Sequence, residues 1–258
     1  MNDGLPTNAR HEEARVAAVQ FLRARSSATS TEKRHDHLLP PRHERRGRAE
    51  RGAHQPLLRG FTIDRGEHWL DLGANIGAFA LHCQLRGATA DCYEPDPDCF
   101  TLLAKNAAGF ALHQCAVSDR DERALLFHKS TNPLNHWRAT MLDVPGLATH
   151  PFGALPNMHA RDLGGAYDGI KMDIEGAEAG LLDGDLLPDA EKLVFEYHFS
   201  RLGRELLPFH QRMKRLRRRY EHVWYDPVLE MDPADEFGMY GPKHDPLVFA
   251  WGLRPRTY

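Results

Sequence analysis

Small residues cluster in the segment WLDLGANIG, where a short apolar run passes into a turn. The run ends at Leu72, and the turn contains Gly73, Asn75 and Gly77. Small residues let backbone amides approach a ligand closely, and the start of a helix offers N–H groups that have no acceptor within the helix. The segment therefore predicts a ligand-binding turn between a buried strand and a helix.

Two carboxylates accompany this turn. Asp71 precedes it, and Glu94 ends the next predicted strand about 20 residues after the turn, a spacing typical of ribose-binding acids. Because the second strand of such a unit lies beside the first, Glu94 is expected at the same crevice. A carboxylate at that position can accept hydrogen bonds from both ribose hydroxyls of an adenosyl group.

The turn departs from the dinucleotide-binding pattern G-x-G-x-x-G, because Asn75 stands at the second glycine position. Asp71 and Glu94 would repel a pyrophosphate, whereas the amino and sulfonium groups of S-adenosyl-L-methionine are cationic and attract carboxylates. The pattern D-x-G-x-N-x-G with Glu94 therefore favours S-adenosyl-L-methionine over NAD. The alternative is an ordinary tight turn between a strand and a helix.

The segment AVSD ends the third predicted strand and places Ser118 and Asp119 at the same crevice. Asp119 could accept a hydrogen bond from the amino group of an adenine. An aspartate in a helix cap or a turn is an equally good explanation of this residue.

A second group of acids follows in the segment KMDIEGAE. Asp173 lies where a strand gives way to a loop, at the edge of the sheet that binds ligands, and Lys171 shares its face if the strand is regular. Glu175 and Glu178 are predicted to enter the following helix, where acids suit the N-terminal dipole. For these two glutamates we expect capping and structural roles.

The next strand ends in VFEYHFS, which places Glu196 and His198 on one face. We predict that Asp173, Glu196 and His198 converge above adjacent strands as the catalytic group. His198 could accept a proton from a substrate hydroxyl, or the three residues could hold a divalent metal that lowers the pKa of that hydroxyl. A third alternative is that His198 only hydrogen-bonds a loop. No residue is assigned as a metal ligand on the sequence alone.

Strands alternate with helices from Phe61 onward, which predicts βαβ units and a parallel sheet. The predicted strands are HWLDL, ATADCYEP, ALHQCAVS, YDGIKMDIEG, KLVFEYHF, HVWYD and PLVFAWGL. The predicted helices are in GANIGAFALHCQLRG, DPDCFTLLAKNAAG, EAGLLDGDLL and residues 208–220, and RALLFHKS with Trp137–Leu142 is a predicted hairpin insertion. The expected architecture is Rossmann-like α/β, a mostly parallel seven-stranded sheet with helices on both faces.

Residues 1–56 differ from the rest in composition. A helix is predicted from residue 8 to about residue 26, and residues 32–56 are rich in Arg, His, Pro and Gly, which predicts a mobile linker. Its arginines could contact phosphates, but Glu44 and Glu50 dilute the charge and favour a solvated linker. We therefore expect two regions, 1–56 as helix and linker and 57–258 as the ligand-binding domain.

The overall composition excludes several classes. The 258 residues carry a formal net charge of −3, so the chain lacks the excess positive charge of a typical nucleic-acid binder. No segment has the roughly 20 apolar residues of a membrane span, and the N-terminus does not resemble a signal peptide. The four cysteines form no C-x-x-C pair, so we expect reduced core thiols and a cytoplasmic protein.

The motifs WLDLGANIGAFA, CYEPDP, AVSD and IKMDIEGAE, in this order, resemble the FkbM-type family of S-adenosylmethionine-dependent methyltransferases. The likeness covers roughly Gly60 to Ser200 and includes the approach RGFTIDRGEHWLDLGANIG. It does not extend to residues 1–56 or beyond about residue 203, where such enzymes hold their substrate-selecting parts.

The resemblance implies a class I methyltransferase fold that transfers a methyl group to a hydroxyl of a small molecule or saccharide. By likeness, the turn residues with Asp71 hold the methionine end, Glu94 holds the ribose and Asp119 the adenine. The cofactor-binding set is then Asp71, Gly73, Asn75, Gly77, Glu94, Ser118, Asp119 and Asp173.

Two other functions compete with this one. An RNA ribose 2′-O-methyltransferase would use Lys171, Asp173 and Glu196 in catalysis. Its arginine-rich patches at 42–51 and 214–219 would contact the RNA. A non-catalytic module that kept the cofactor fold would have lost the acids of the crevice, and here they are present. A small-molecule or saccharide acceptor is therefore favoured over nucleic acid, and no membrane partner is expected.

Overall fold

The computed structural model describes residues 61–130, 139–140, 149–198, 206–225 and 246–255. The chain divides into two compact units, Met1–Thr62 and Ile63–Tyr258, and the architecture below is that of the second unit. The predicted helix at 8–26, the predicted mobile linker at 32–56 and the basic patch at 42–51 lie outside the described residues.

Strands and helices follow the predicted alternation. The helices are α1 (Ala78–Arg86), α2 (Pro97–Asn106), α3 (Glu178–Asp183) and α4 (Leu206–Arg219), with a short 3₁₀ helix at Ala160–Asp162. The strands are β1 (His68–Leu72), β2 (Thr89–Tyr93), β3 (Ala111–His113), β4 (Ala116–Ser118), β5 (Ala124–Ser130), β6 (Ala139–Thr140), β7 (Thr149–His159), β8 (Gly169–Met172), β9 (Lys192–Glu196), β10 (Tyr220–Tyr225) and β11 (Leu247–Leu253).

Seven strands form the main sheet in the order β10-β11-β9-β8-β1-β2-β3. The pairs from β3 to β9 are parallel, whereas β11 runs antiparallel to both of its neighbours, β9 and β10. This order, with one reversed strand near an edge, is that of the class I methyltransferase fold. The chain changes direction across the sheet between β1 and β8, and ligands of open α/β sheets bind outside the strand ends at such a point.

Helices cover both faces of the main sheet. Side chains alternate along each strand, so apolar side chains project from both faces and pack against helices on each side. Leu70 and Leu72 of β1 pack in one core with Leu181 of α3 and Phe209 and Met213 of α4. On the opposite face the Trp69 ring meets the Phe79 ring of α1, with centroids 5.4 Å apart. The predicted two-faced architecture is confirmed.

A smaller sheet has the strand order β4-β7-β5-β6. The predicted hairpin insertion is present, because β5 pairs antiparallel with β6. The longer pairing of β5 is with β7, a long strand that was not predicted from the sequence. The segment ALHQCAVS was predicted as one strand and is two: β3 stays in the main sheet, while β4 pairs with β7 in the small sheet.

None of the helices in the described ranges is both long and apolar enough to cross a lipid bilayer.

Candidate active site

The carboxyl ends of four neighbouring strands form one row. Leu72 of β1 pairs in register with Tyr93 of β2 and Met172 of β8, and Met172 pairs with Phe195 of β9. The residues one step further along are therefore Gly73, Glu94, Asp173 and Glu196. Parallel pairing thus places the glycine turn and three of the predicted site acids at the same edge of the sheet.

The glycine turn after β1 has a left-handed backbone at Gly73 (φ 75°), Asn75 (φ 51°) and Gly77 (φ 90°). Gly73 is required for space as well, because a Cβ there would lie 2.0 Å from the carbonyl oxygen of Asp173. The turn is fixed from outside by Asn106 of α2, whose side-chain amide donates to the carbonyl of Ile76 at 2.7 Å. These residues form the preorganised turn that the sequence predicts.

Glu94 is buried and hydrogen-bonded to the turn. Its two carboxylate oxygens accept the backbone N–H groups of Asn75 and Asp96, each at 2.8 Å. Burial raises the pKa of this carboxyl to about 7, although the two backbone N–H groups oppose the shift. Each oxygen keeps a second lone pair, so the carboxylate can also accept ligand hydroxyls.

Asp71 is fully buried beneath the turn rather than lying on its surface. Lys171 of β8 forms an ion pair with it at 3.0 Å and donates to the carbonyl of Gly73 at 2.6 Å. Burial raises the pKa of the Asp71 carboxyl, with nearby Asp173 adding to the shift and Lys171 opposing it. We expected Asp71 beside the cationic end of a ligand. The structure instead shows an Asp71–Lys171 pair that supports the turn, because strand alternation directs both side chains into the layer under it.

Ser118 and Asp119 have different surroundings. The Ser118 hydroxyl is buried, donates to the side-chain oxygen of Asn157 at 2.8 Å and accepts the N–H of Arg120 at 3.1 Å, so it stabilises the small sheet. Asp119 is exposed, and its carboxylate packs against α3, where a Cβ at Gly180 would lie 2.5 Å from it. Contact of Asp119 with an adenine stays a prediction.

The predicted catalytic group does converge. One ligand atom from each of Asp173, Glu196 and His198 lies within 4.8 Å of the others, and all three residues are buried. The Nε2 atom of His198 lies 3.9 Å from a carboxylate oxygen of Asp173 and 3.4 Å from one of Glu175.

Glu178 orients this histidine. Its oxygens accept the N–H groups of Ile174 at 3.0 Å and Gly176 at 2.9 Å, and one of them also lies 2.9 Å from Nδ1 of His198. Glu178 therefore has the predicted structural role, since it holds the turn before α3, but it does not cap the helix, whose N-cap residue Ala177 makes no side-chain cap hydrogen bond. Glu175 was predicted to enter the helix, but it lies in the preceding turn with a left-handed backbone (φ 57°), and α3 begins only at Glu178.

The crevice combines three features: the carboxylate of Glu94, the close contact between the glycine turn and the end of β8, and the carboxylates around His198. Glu94 can accept hydrogen bonds from a polar ligand such as a nucleoside, whereas the turn's N–H groups at residues 73, 74, 75 and 77 already donate within the protein. The end of β8 packs directly against the glycine turn. Beyond it, carboxylates surround one imidazole, a setting that can take up a proton or hold a cation. The Nδ1 atom of His198 lies 2.9 Å from a carboxylate oxygen of Glu178 and Nε2 lies 3.9 Å from one of Asp173, and the three alternatives for this histidine stay predictions.

No protein-family model matches the chain, and no curated protein matches it in sequence. A SAM-dependent O-methyltransferase from Thermotoga maritima is structurally similar, at 10% identity and a TM-score of 0.43 over 87% of this chain and 69% of that one. A precorrin-6y C5,15-methyltransferase from Geobacter metallireducens has 12% identity and a TM-score of 0.40, over 77% of this chain and 86% of that one.

A ribosomal protein L11 methylase from Lactobacillus delbrueckii subsp. bulgaricus has 16% identity and a TM-score of 0.37, over 80% of this chain and 79% of that one. These likenesses are too distant to assign a function. The fold assignment rests on the strand order of this chain.

Two site residues were missed by the sequence analysis in the roles that the structure gives them. Lys171 was expected on the same face as Asp173 and in a possible RNA-modifying role, and Glu178 was expected in a capping or structural role. The D-x-E-G-x-E spacing could have indicated the role of Glu178, because it lets this carboxylate accept N–H groups of the turn just before it. The contact with His198 needs the neighbouring strand β9 and cannot be inferred from spacing within one motif.

The cysteines take no part in this chemistry. All four lie in described parts of the chain, none forms a disulfide, and Cys83, Cys92 and Cys99 are buried. Burial raises the thiol pKa of Cys83, Cys92 and Cys115, which disfavours the thiolate form. The expected core position holds for Cys83, Cys92 and Cys99, whereas Cys115 is only partly buried, and the raised pKa values disfavour a thiol nucleophile.

Proposed function

We propose that the protein is an S-adenosyl-L-methionine-dependent methyltransferase that acts on a hydroxyl of a small molecule or saccharide. The observation that carries the proposal is the hydrogen bond between Glu94 and the backbone N–H of Asn75, at 2.8 Å. This hydrogen bond joins two segments at the point where the strand order reverses: the glycine turn after β1 and the carboxylate after β2. A carboxylate at that position suits a ribose.

The donor set suits this cofactor better than a dinucleotide. Glu94 and Asp173 present carboxylates beside the turn, and Asn75 occupies the position at which a pyrophosphate needs an exposed glycine. Carboxylates at this place favour a ligand with cationic groups. When bound, S-adenosyl-L-methionine supplies an activated methyl group on a positively charged sulfur.

The chain must then position an alcohol and accept its proton. The chain would have to hold the acceptor oxygen about 3 Å from the methyl carbon and accept its proton, while the cofactor would supply the methyl group and leave as S-adenosylhomocysteine. Asp173, Glu196 and His198 lie at the ends of β8 and β9, beside the turn, and provide groups for both tasks. This proximity supports O-methylation and the proposed resemblance to FkbM-type enzymes.

The RNA alternative has weaker support. The Lys171 ammonium that it needs is buried and bonded to the glycine turn. In the basic helix α4, Arg212, Arg215 and Arg219 form ion pairs with the aspartates at 183, 185 and 189. Of the five cationic side chains in the patch 214–219, Arg215 and Arg219 are therefore paired within the protein.

Calorimetry with S-adenosylhomocysteine and with NAD tests the proposal. We expect binding of S-adenosylhomocysteine and none of NAD at equal concentrations. Glu94→Ala should weaken that binding by about 1–3 kcal/mol, because two ribose hydroxyls lose their charged acceptor. Glu122→Ala, which removes an exposed carboxylate far from the turn in sequence, is the control and should bind as the wild type does.

Labelled methyl donor incubated with fractionated small molecules, glycans and RNA identifies the acceptor class. Label in the small-molecule or glycan fraction is the expected result. Tighter binding of NAD than of S-adenosylhomocysteine would overturn the cofactor assignment, and label only in RNA would overturn the acceptor class.

A further inference from the structure

We propose that Asp173, Glu196 and His198 bind a divalent cation beside the cofactor crevice. The role of the ion in methyl transfer rests on the proposed function, but its binding does not. The cation would lie at the carboxyl ends of β8 and β9, next to the place expected for the acceptor hydroxyl.

The three side chains form a set of ligands that the fold holds in place. Asp173 follows β8 directly, Glu196 ends β9, and the two strands pair in parallel register. The ligand atoms of these two residues and His198 lie within 4.8 Å of one another, and each residue is at most 7% exposed. Atoms that each lie about 2.0–2.2 Å from one ion are at most about 4.4 Å apart, so small side-chain adjustments would bring these three atoms close enough to enclose it.

The orientation of His198 points independently to a cation. Glu178 accepts two backbone N–H groups, and one of its oxygens lies 2.9 Å from Nδ1 of His198, so this contact fixes the orientation of the ring. The Nε2 atom then faces carboxylate oxygens of Glu175 at 3.4 Å and Asp173 at 3.9 Å. Imidazole nitrogen and carboxylate oxygen are both atom types that ligate divalent ions, and the ring is turned so that these atoms face one another.

This arrangement has the form common to histidines that bind metals, in which a carboxylate holds the outer nitrogen and fixes the tautomer. Glu178 is that carboxylate here. An imidazolium that bridges the same carboxylates is the competing explanation, and it would leave no room for an ion.

The chemistry of the ligands selects the kind of ion. One imidazole with two or three carboxylates suits a borderline divalent ion such as Mn²⁺, whereas a site for Mg²⁺ rarely includes imidazole. Beside the acceptor hydroxyl, such an ion would lower the hydroxyl pKa and so assist loss of its proton to a neighbouring carboxylate.

Electron paramagnetic resonance of Mn²⁺ tests the site, because the sharp signal of the free ion is lost on binding. The full chain is first treated with a chelator and desalted, then titrated with Mn²⁺ with and without S-adenosylhomocysteine. We expect one ion per chain. Asp173→Asn, Glu196→Gln and His198→Ala should each weaken binding by about 10–100-fold or more.

Glu122→Gln removes one carboxylate from an exposed position and is the matched control, with unchanged Mn²⁺ affinity expected. Thermal unfolding of each variant separates loss of the site from loss of the fold. No binding by the wild type at millimolar Mn²⁺, or equal binding by all variants, would overturn the proposal.

The titration also separates the two proposals. Mn²⁺ bound by a chain that does not bind S-adenosylhomocysteine would retain the metal site and refute the methyltransferase. S-adenosylhomocysteine bound by a chain that never takes up Mn²⁺ would do the reverse, and would favour the imidazolium at His198.

Discussion

Glu94 combines burial with a position at the crevice edge. Burial raises the pKa of its carboxyl to about 7, even though the N–H groups of Asp96 and Asn75 stabilise the charged form. The unfolded chain ionises this group at lower pH, so its contribution to folding stability falls as pH rises from about 4.5 to about 7 and is constant above that. Near neutral pH, therefore, the charge on Glu94 depends on small changes in its surroundings.

The affinity for S-adenosylhomocysteine should rise with pH. A carboxylate accepts both ribose hydroxyls, whereas a protonated carboxyl loses one acceptor oxygen. With a pKa of about 7, roughly a tenth of the sites are ionised at pH 6 and roughly nine tenths at pH 8. Calorimetry at these two pH values should show binding up to about tenfold tighter at pH 8.

Glu94→Gln is the control for this dependence, because an amide does not titrate. Its affinity should be lower than that of the wild type and nearly the same at both pH values. A wild-type affinity that is equal at pH 6 and pH 8 would show that the ionisation of Glu94 does not govern binding.

At the scale of elements, the turn after β1 and the end of β8 must approach each other closely. Gly73 touches the backbone of Asp173, which a side chain would prevent. Lys171 reaches from β8 to carbonyls at the end of β1 and pairs with Asp71. The glycine turn and the end of β8 are therefore coupled through backbone contact and one buried ion pair.

Gly73→Ala should destabilise the protein by about 2–5 kcal/mol, from a left-handed backbone plus overlap with a carbonyl oxygen. Gly66→Ala is the matched control, because Gly66 also has a left-handed backbone (φ 88°) but open space around its Cβ position. It should cost only about 1–2 kcal/mol. Denaturant unfolding of both variants measures the difference, and equal losses would mean that the close approach contributes nothing.

At the scale of the whole unit from Ile63 onward, the small sheet is joined to the main sheet at two places near the crevice. Lys129 of β5 forms a buried ion pair at 2.6 Å with Asp96, the residue that caps α2. Thr140 of β6 donates to the carbonyl of Glu175 at 2.8 Å. Asp96 lies in the segment after β2 and Glu175 in the segment after β8. Since β2 and β8 flank β1 in the sheet, the small sheet contacts the segments on both sides of the glycine turn.

Lys129→Ala should therefore lower the free energy of unfolding by about 3–5 kcal/mol, because Asp96 would stay buried without its ammonium partner. Lys105→Ala, an exposed lysine on α2, is the control and should change stability by no more than about 0.5 kcal/mol. Chemical denaturation measures both. A similar small change in the two variants would show that this ion pair does not hold the sheets together.

The sequence by itself determined the main sheet and the row of residues at its edge. Apolar runs that alternate with helix-length segments predict parallel strands, and motifs at strand ends must then meet at one edge, as Gly73, Glu94, Asp173 and Glu196 do. Local rules of this kind depend only on chain direction and side-chain alternation, which is why they could be applied without a structure.

The tertiary structure decided which partners these residues have. Only pairing between strands distant in sequence places Lys171 on Asp71 and Glu178 on His198, and no spacing within a motif reveals such pairs. The long strand β7 also escaped prediction, since its polar and proline-containing sequence becomes a strand through pairing with β4 and β5. Burial also raised the carboxyl pKa of Glu94 and of Asp71, because desolvation depends on atoms that the local sequence does not specify.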